Sequence, residues 1–233
     1  MKKKSVVIHQ PDFMPHLGFF DRFLEADLYI SLDHVQFVRN TSRSWTNRDK
    51  IKTPQGARWL TVAVKKSSSF SPINSIELAD TNWRDENLSL LTEHYKRSSG
   101  FKEVMPEIER LYAQPFRLLK DFNIASIELL MDMLDARVPW IWSSRLNPQG
   151  EKNDLLVDLL QKVSATHYIS GQGALDYFCA EPFVNAQIQV VWPKYEHPLY
   201  KQEFGDFIPN LSALDLLLNH GIKSSREIWR TKK

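Results

Sequence analysis

The chain has 233 residues, 42% hydrophobic and 25% charged, with a formal net charge of +2, a balance ordinary for a globular protein long enough to bury a sizeable core. No apolar run approaches the roughly 20 residues that span a bilayer. The Met-Lys-Lys-Lys start leads into too short an apolar stretch for a signal peptide. A single cysteine, Cys179, excludes an internal disulfide and a cysteine-based metal site, and the expected location is the cytoplasm.

Residues 5–9 are short, β-branched and bounded by Pro11, which predicts a buried strand. Leu17 to Glu25 places Leu17, Phe20, Phe23 and Leu24 at helical spacing, and Leu28 to Leu32 has strand length. A strand, a helix and a strand in so few residues predict a βαβ unit, with parallel strands and a right-handed crossover. Arg58 to Val64 predicts a further strand, entered through a turn at Gly56. Three helices follow, over 82–98, 101–113 and 115–136, with Pro106 interrupting or starting the second and a broad apolar core stripe on the third. The strand pattern then returns at Val138–Trp142, His167–Ile169 and Ile188–Trp192. Helices are expected over Asn153–Val163, from Ala174, and over Ser212–Asn219, the last with Ser212 as N-cap and Gly221 just beyond its end. The tail from Arg226 is expected to fray. The expected architecture is α/β: one domain over 1–233 with a Rossmann-like, mostly parallel sheet and a helical subdomain or lid at about 82–136.

Charge is unevenly spread. From Arg39 to Lys66 there are eight basic residues (Arg39, Arg43, Arg48, Lys50, Lys52, Arg58, Lys65, Lys66) against one acid, Asp49. A basic stretch of this kind attracts phosphates, and Trp45, Asn47 and Trp59 among these side chains point to a ligand surface rather than a solvated loop. The patch is small for a nucleic acid, which is not an expected partner.

In an open parallel sheet, ligands bind beyond the carboxyl ends of the strands. Four polar stretches directly follow apolar strands: His9-Gln10, Asp33-His34-Val35-Gln36, Ser143-Ser144 and Ser170-Gly171-Gln172-Gly173. Imidazole titrates near neutral pH, so His9 is a candidate acid or base, and Asp33 can orient it or bind a ligand ammonium. Gln10 and Gln36 both donate and accept, which suits an amide, a carboxylate or a base edge. The backbone N–H groups of Ser170, Gly171 and Gly173, at the entry to an expected helix, can face a phosphate or a developing oxyanion. The chain carries no phosphate-loop, zinc-helix or nucleophile-elbow motif. Its histidines are scattered, and no metal site is expected.

The strings HQPDFMPHLGFFDRF, LDHVQF, WTNRDKI, WLTVAV, SGQGALDYF, HPLYKQ and FIPNLSALDLLLNHG, in this order along nearly the whole chain, resemble the WbqC-like family. Members occur in bacterial surface-polysaccharide gene clusters, and the resemblance implies glycyl or aminoacyl transfer in O-antigen synthesis. It carries Gln10, Pro15, Gly18, Asp21, Asp33, Gln36, Trp45, Asn47, Arg48, Lys50, Ile51, Trp59, Ser170, Gly171, Gly173, Gln202, Asp215 and Asn219 onto this chain; Tyr200, in the same HPLYKQ string, joins them as a binding candidate. Family members often lack the histidine at His9, and Asn40 to Ser44 is extra length. A more distant likeness is to the phosphate-binding turn of nucleotidylyl transferases. Gly18 matches the glycine there, His16 stands near the first histidine, and Phe19 replaces the second.

The leading expectation is an acyl (glycyl or aminoacyl) transferase acting on an amino sugar of a surface-polysaccharide precursor. His9 or Asp33 would take the proton of the attacking amine. Gln10, Gln36, Trp45, Asn47, Arg48, Lys50, Ser170, Gly171, Gly173, Tyr200 and Gln202 would hold the substrate, a small molecule such as a nucleotide-linked amino sugar. The co-reactant, an activated acyl or aminoacyl donor or a nucleoside triphosphate, is not fixed by the residues. The alternatives are a nucleotidylyl transferase acting on a small molecule and a non-enzymatic protein that binds anionic ligands.

Overall fold

A computed structural model describes residues 2–39, 44–68 and 70–231. In chain order the elements are β1 (Ser5–His9), α1 (Leu17–Asp21), β2 (Leu28–Ser31), β3 (Arg48–Thr53), β4 (Gly56–Thr61), α2 (Trp83–Tyr95), α3 (Phe101–Tyr112) and α4 (Leu119–Leu134). After these come β5 (Trp140–Trp142), α5 (Lys152–Lys162), β6 (His167–Ile169), α6 (Glu181–Asn185), β7 (Gln189–Val191) and α7 (Ala213–Arg230). The chain divides into two compact units. The first comprises Met1–Gln10, Phe19–Val35 and Ala136–Tyr195, the second Pro11–Gly18, Gln36–Asp135 and Glu196–Lys233.

The first unit is built on a five-stranded sheet in the order β5-β2-β1-β6-β7, with every neighbouring pair parallel. Taken by their order in the chain, these strands lie as third, second, first, fourth and fifth, the arrangement of a doubly wound α/β sheet whose switch point falls between the first and fourth. The α/β, Rossmann-like expectation therefore holds. Side chains alternate across each strand. Val6, Ile8, Ile30 and Tyr168 face a core completed by Leu159 and Leu160 of α5 and Phe183 of α6. Tyr29, paired with Val7, turns to the opposite face and meets Phe19 and Phe23, with ring centroids 5.9 and 5.0 Å away. The segment expected as one helix over Leu17–Glu25 is α1 followed by a 3-10 turn over Arg22–Glu25.

In the second unit β3 and β4 pair antiparallel as a two-stranded hairpin, with Gly56 turning at φ 101°. β3 was not foreseen, because Arg48-Asp49-Lys50-Ile51-Lys52 alternates charge with little apolar signal. Asp49, Ile51, Lys52 and Thr53 are nevertheless buried. α3 runs through Pro106 rather than stopping there; the carbonyl deprived of its N–H partner belongs to the exposed Lys102. α7 continues well beyond its expected end. Ser212 caps it by accepting from Leu214 N at 3.3 Å, and Gly221 (φ 75°, ψ 172°) breaks rather than ends it. The tail expected to fray is helical to Arg230, where Arg226 and Arg230 bond the carbonyls of Met133 and Asp135 at 2.8 and 2.6 Å.

The break in α7 admits the start of α3. A Cβ at Gly100 would stand 2.2 Å from the carbonyl oxygen of Leu217 and 2.3 Å from the nitrogen of Gly221. Both neighbours are backbone and cannot swing aside. Gly100→Ala is therefore expected to lower stability by about 1–3 kcal/mol, read from the midpoint of urea unfolding.

Candidate functional site

The doubly wound order brings the carboxyl ends of β5, β2, β1 and β6 to one edge of the first unit. At the end of β1, His9 sets its ring edge against Phe19 (5.2 Å, 88°), with Nδ1 3.1 Å from the carbonyl oxygen of Gln10. The Tyr29 hydroxyl lies 3.2 Å from both the His9 and Gln10 carbonyl oxygens, which fixes the exit of the strand. Across the switch point β6 ends in Ser170, 1% exposed, and Gly171. The guanidinium of Arg22, itself buried, lies so close that a Cβ on Gly171 would be 3.3 Å from Nη1.

At the ends of β2 and β5, Asp33 is 1% exposed. Its Oδ1 accepts from Ser143 Oγ at 3.0 Å and from Ser144 N at 2.9 Å, and its Oδ2 accepts from Ser144 Oγ at 2.7 Å. Its own N–H donates to Ser143 Oγ at 3.2 Å. The half-buried ring of His34 places Nδ1 2.6 Å from the same Ser143 Oγ. Burial holds His34 below the usual histidine range, and the nearby Asp33 charge partly opposes this.

The remaining expected site residues lie in the second unit. Trp45 and Trp59 stand 5.3 Å apart by ring centroid. The Arg48 guanidinium sits 4.1 Å above Trp59, and the Lys50 ammonium lies 4.7 Å from Trp59 and 5.7 Å from Trp45. Arg48, Lys50 and Trp59 share one face of the hairpin, since Lys50 pairs with Trp59. Two cations over two indoles make a face suited to a flat, anionic ligand. Asn47 serves the hairpin itself: Nδ2 donates to Val62 O at 3.1 Å, and Val62 N returns a bond to Asn47 O at 2.8 Å. Gln36 is exposed and bridges Pro72.

Three of the other basic residues are engaged within the fold. Lys52 is 1% exposed and donates to the carbonyls of Gly205 and Asp206. Arg39 bonds Lys65 O and Ser67 Oγ, and Lys65 pairs with Glu77 and Asp80. Residues 40–43 of the extra stretch Asn40 to Ser44, Arg43 among them, lie outside the described residues.

Tyr200 and Gln202 converge on the buried Asp215. Its Oδ2 accepts from the Tyr200 hydroxyl at 3.0 Å and from Gln202 Nε2 at 2.8 Å, and its Oδ1 from the Tyr95 hydroxyl at 2.6 Å. Gln202 also exchanges two bonds with Ile208, at 2.9 Å each, so its amide is occupied within the fold. Burial pushes the Asp215 carboxyl up, against these donors and the Lys52 charge.

One local expectation is corrected. The Ser170–Gly173 stretch leads into a 3-10 turn of six residues, Gln172–Tyr177, not an α-helix; so short a run does not build the summed dipole of a full α-helix. Gly173 lies in that turn with open space where a Cβ would stand. Cys179 is exposed and sits between that turn and α6. In the phosphate-turn likeness, His16 Nδ1 accepts from Gly18 N at 3.1 Å, while Phe19 is a core residue, 2% exposed.

A family model described as the WbqC-like protein family matches residues 10–227. The chain belongs to the WbqC-like family. It is 31% identical over 226 residues to an uncharacterized protein of Mycobacterium tuberculosis, Rv1507c, covering 95% of this chain and 96% of that one. No solved structure matches the chain. Of the residues that family resemblance carries, Gln202, Asp215 and Asn219 form a buried framework in this WbqC-like protein: Asn219 Nδ2 donates to Asp215 O at 2.7 Å. Gln10, Asp33, Ser170 and Gly171 instead share the strand-end edge. No helix among the described residues is long and apolar enough to cross a membrane, and no cluster of three or more metal-ligating side chains occurs among them.

Sequence reading did not select His34 or Arg22. The adjacent Asp33-His34 pair facing Ser143-Ser144 was the available signal for His34; nothing in the spacing of Arg22 distinguished it from a surface arginine.

Asp49 is a further buried carboxylate, 2% exposed, and accepts from Lys50 N at 2.6 Å. Burial pushes it well above its ordinary value of 3.8; the backbone bond opposes this and the charge of Asp12 adds to it. An acid raised on folding binds its proton more tightly in the native state, so stability falls as pH climbs from near 3.8 toward the raised value. Asp49→Asn is expected to flatten that fall and to raise the unfolding midpoint at neutral pH, measured by denaturant titration across the acid range.

Proposed function

We propose that the protein is a cytoplasmic acyl transferase that moves a glycyl or other aminoacyl group onto the amine of an amino sugar in a surface-polysaccharide precursor. The observation that carries this reading is the polar edge at the carboxyl ends of β5, β2, β1 and β6, where a ligand of a doubly wound sheet binds. Such a transfer needs a group that takes the amine proton and donors for the acyl oxygen. The edge offers His9 and His34 for the first task. The backbone at Ser170 and Gly171, on the far side of the switch point, is suited to the second. Asp33, enclosed by three donors, suits a positioning role better than that of a base. The Trp45, Trp59, Arg48 and Lys50 face, in the second unit, is by itself suited to a flat anionic group, by stacking and charge together. Tyr200 and Gln202 are assigned to the framework around Asp215.

Purified protein incubated with nucleotide-linked amino sugars and activated acyl or aminoacyl donors, followed by mass spectrometry of the sugar, tests the proposal. A sugar carrying one added acyl group is the expected result. Pyrophosphate release from a nucleoside triphosphate with no acylated sugar would instead favour nucleotidylyl transfer.

A further inference from the structure

We infer that His34 is the proton acceptor of the strand-end edge, held by Ser143 and Asp33 as the neutral tautomer protonated on Nδ1, with Nε2 carrying the reactive lone pair. This rests on the transfer reading given above and names the base within it.

The tautomer follows from counting protons around Ser143 Oγ. A serine hydroxyl has one proton to give and two lone pairs to receive with. Its proton goes to Asp33 Oδ1 at 3.0 Å, because an ionised carboxylate can only accept. One lone pair faces the Asp33 N–H at 3.2 Å, a proton shared with the Ser31 carbonyl at 3.0 Å. The atom 2.6 Å away on the remaining side is His34 Nδ1, and with the hydroxyl proton already committed, Nδ1 must be the donor. The ring then has its only other nitrogen, Nε2, unprotonated. Among the described residues, Ser143 is the ring's one hydrogen-bond partner.

The arrangement runs from imidazole through a hydroxyl to a buried carboxylate. Asp33 and Ser143 are 1% and 0% exposed and lie on separate strand ends, β2 and β5, locked by the bonds from Ser144. His34 is half-buried, so its ring is reachable where the serine and aspartate are not. A base fixed in one tautomer by a carboxylate-backed partner is the arrangement that general-base catalysis requires. Its depressed affinity for a proton keeps it neutral, and therefore able to accept, around neutral pH.

In the reaction, the amine nitrogen of the sugar attacks the carbonyl carbon of an activated acyl donor. The new C–N bond forms as the bond from that carbon to the donor's leaving group breaks, and the leaving group departs with the electron pair. His34 Nε2 takes the surplus amine proton. The resulting imidazolium is stabilised through Ser143 by the Asp33 charge, then returns its proton to the leaving group or to water.

The tautomer can be read without any substrate. Long-range nitrogen–proton correlation spectra of the full-length protein near neutral pH should show His34 protonated on Nδ1 and bare on Nε2. Ser143→Ala should release the ring to a mixture of tautomers, and Ser143→Thr, which keeps the hydroxyl, should restore the single form. A wild-type ring protonated on Nε2 overturns the inference and leaves the transfer reading standing. In the acylation assay His34→Gln should lower kcat about 10²–10⁴-fold with KM little changed. A kcat within threefold of wild type, in a variant whose unfolding midpoint is unchanged, equally overturns the inference. Failure of the wild-type protein to acylate any amino sugar, with the tautomer as stated, counts against the transfer reading instead.

Discussion

Asp33→Ala is expected to abolish the activity of the strand-end edge and to cost about 3–5 kcal/mol of stability. The side chain is 1% exposed and accepts from Ser143 Oγ, Ser144 N and Ser144 Oγ. Alanine removes the acceptor of all three donors, and each donor left unmet in the interior costs about 1–3 kcal/mol. The same change frees Ser143 to turn its proton toward His34 Nδ1, which reverses the tautomer of the ring. Asp33→Asn separates the two effects. Its amide oxygen still accepts from Ser143 and Ser144 N, while Ser144 Oγ can rotate to accept from the new amide nitrogen. Most of the stability should therefore remain, whereas the negative charge behind His34 is gone. Urea unfolding measures the first effect and kcat the second; an Asn variant with full kcat would show that the Asp33 charge plays no part in the reaction.

Asp215→Ala is expected to destabilise the second unit by a similar amount, about 3–5 kcal/mol. Here the lost carboxylate is the common acceptor for Tyr95, Tyr200 and Gln202. The Tyr95 hydroxyl in turn accepts from Lys52 N at 2.9 Å, so the network ties β3 to α2 and α7. Asp215→Asn should cost less, about 1–3 kcal/mol. An amide in that place still accepts through one oxygen, and Tyr200 can turn to receive, but the Gln202 amide nitrogen cannot. The falling midpoint should be accompanied by loss of Tyr95 ordering in near-ultraviolet circular dichroism. An alanine variant with an unchanged midpoint would mean that the buried network contributes no net stability.

The doubly wound sheet was legible because its signal is local. Val6, Val7 and Ile8 are apolar on both faces, as a strand buried on two sides must be, and Pro11 and Gly18 punctuate the turn that follows. The parallel pairing of β1 with β2 followed from the short crossover between them. Strand ends then marked the polar edge without any need for long-range contacts. The basic hairpin was not legible as a hairpin, because burial of Asp49 and Lys52 depends on partners far along the chain, Tyr95 and Asp206 among them. For the same reason Tyr200 and Gln202 read as ligand-binding groups. A polar string in a segment rich in His and Pro looks the same whether its side chains meet a substrate or an aspartate on α7. His34 stood in the sequence only as one member of a polar stretch, because the serine it meets, Ser143, is 109 residues away. The family resemblance carries Asp33 onto this chain but does not distinguish a base from the group that orients one.

The most direct test of the strand-end edge as the reaction centre is a crystal structure of the protein with a nucleotide-linked amino sugar. Density for the sugar beyond the ends of β1 and β6, beside Gln10 and Gly171, with its amine within hydrogen-bond reach of His34 Nε2, is the expected result. A sugar bound away from that edge, with His34 and Gln10 untouched, would contradict it.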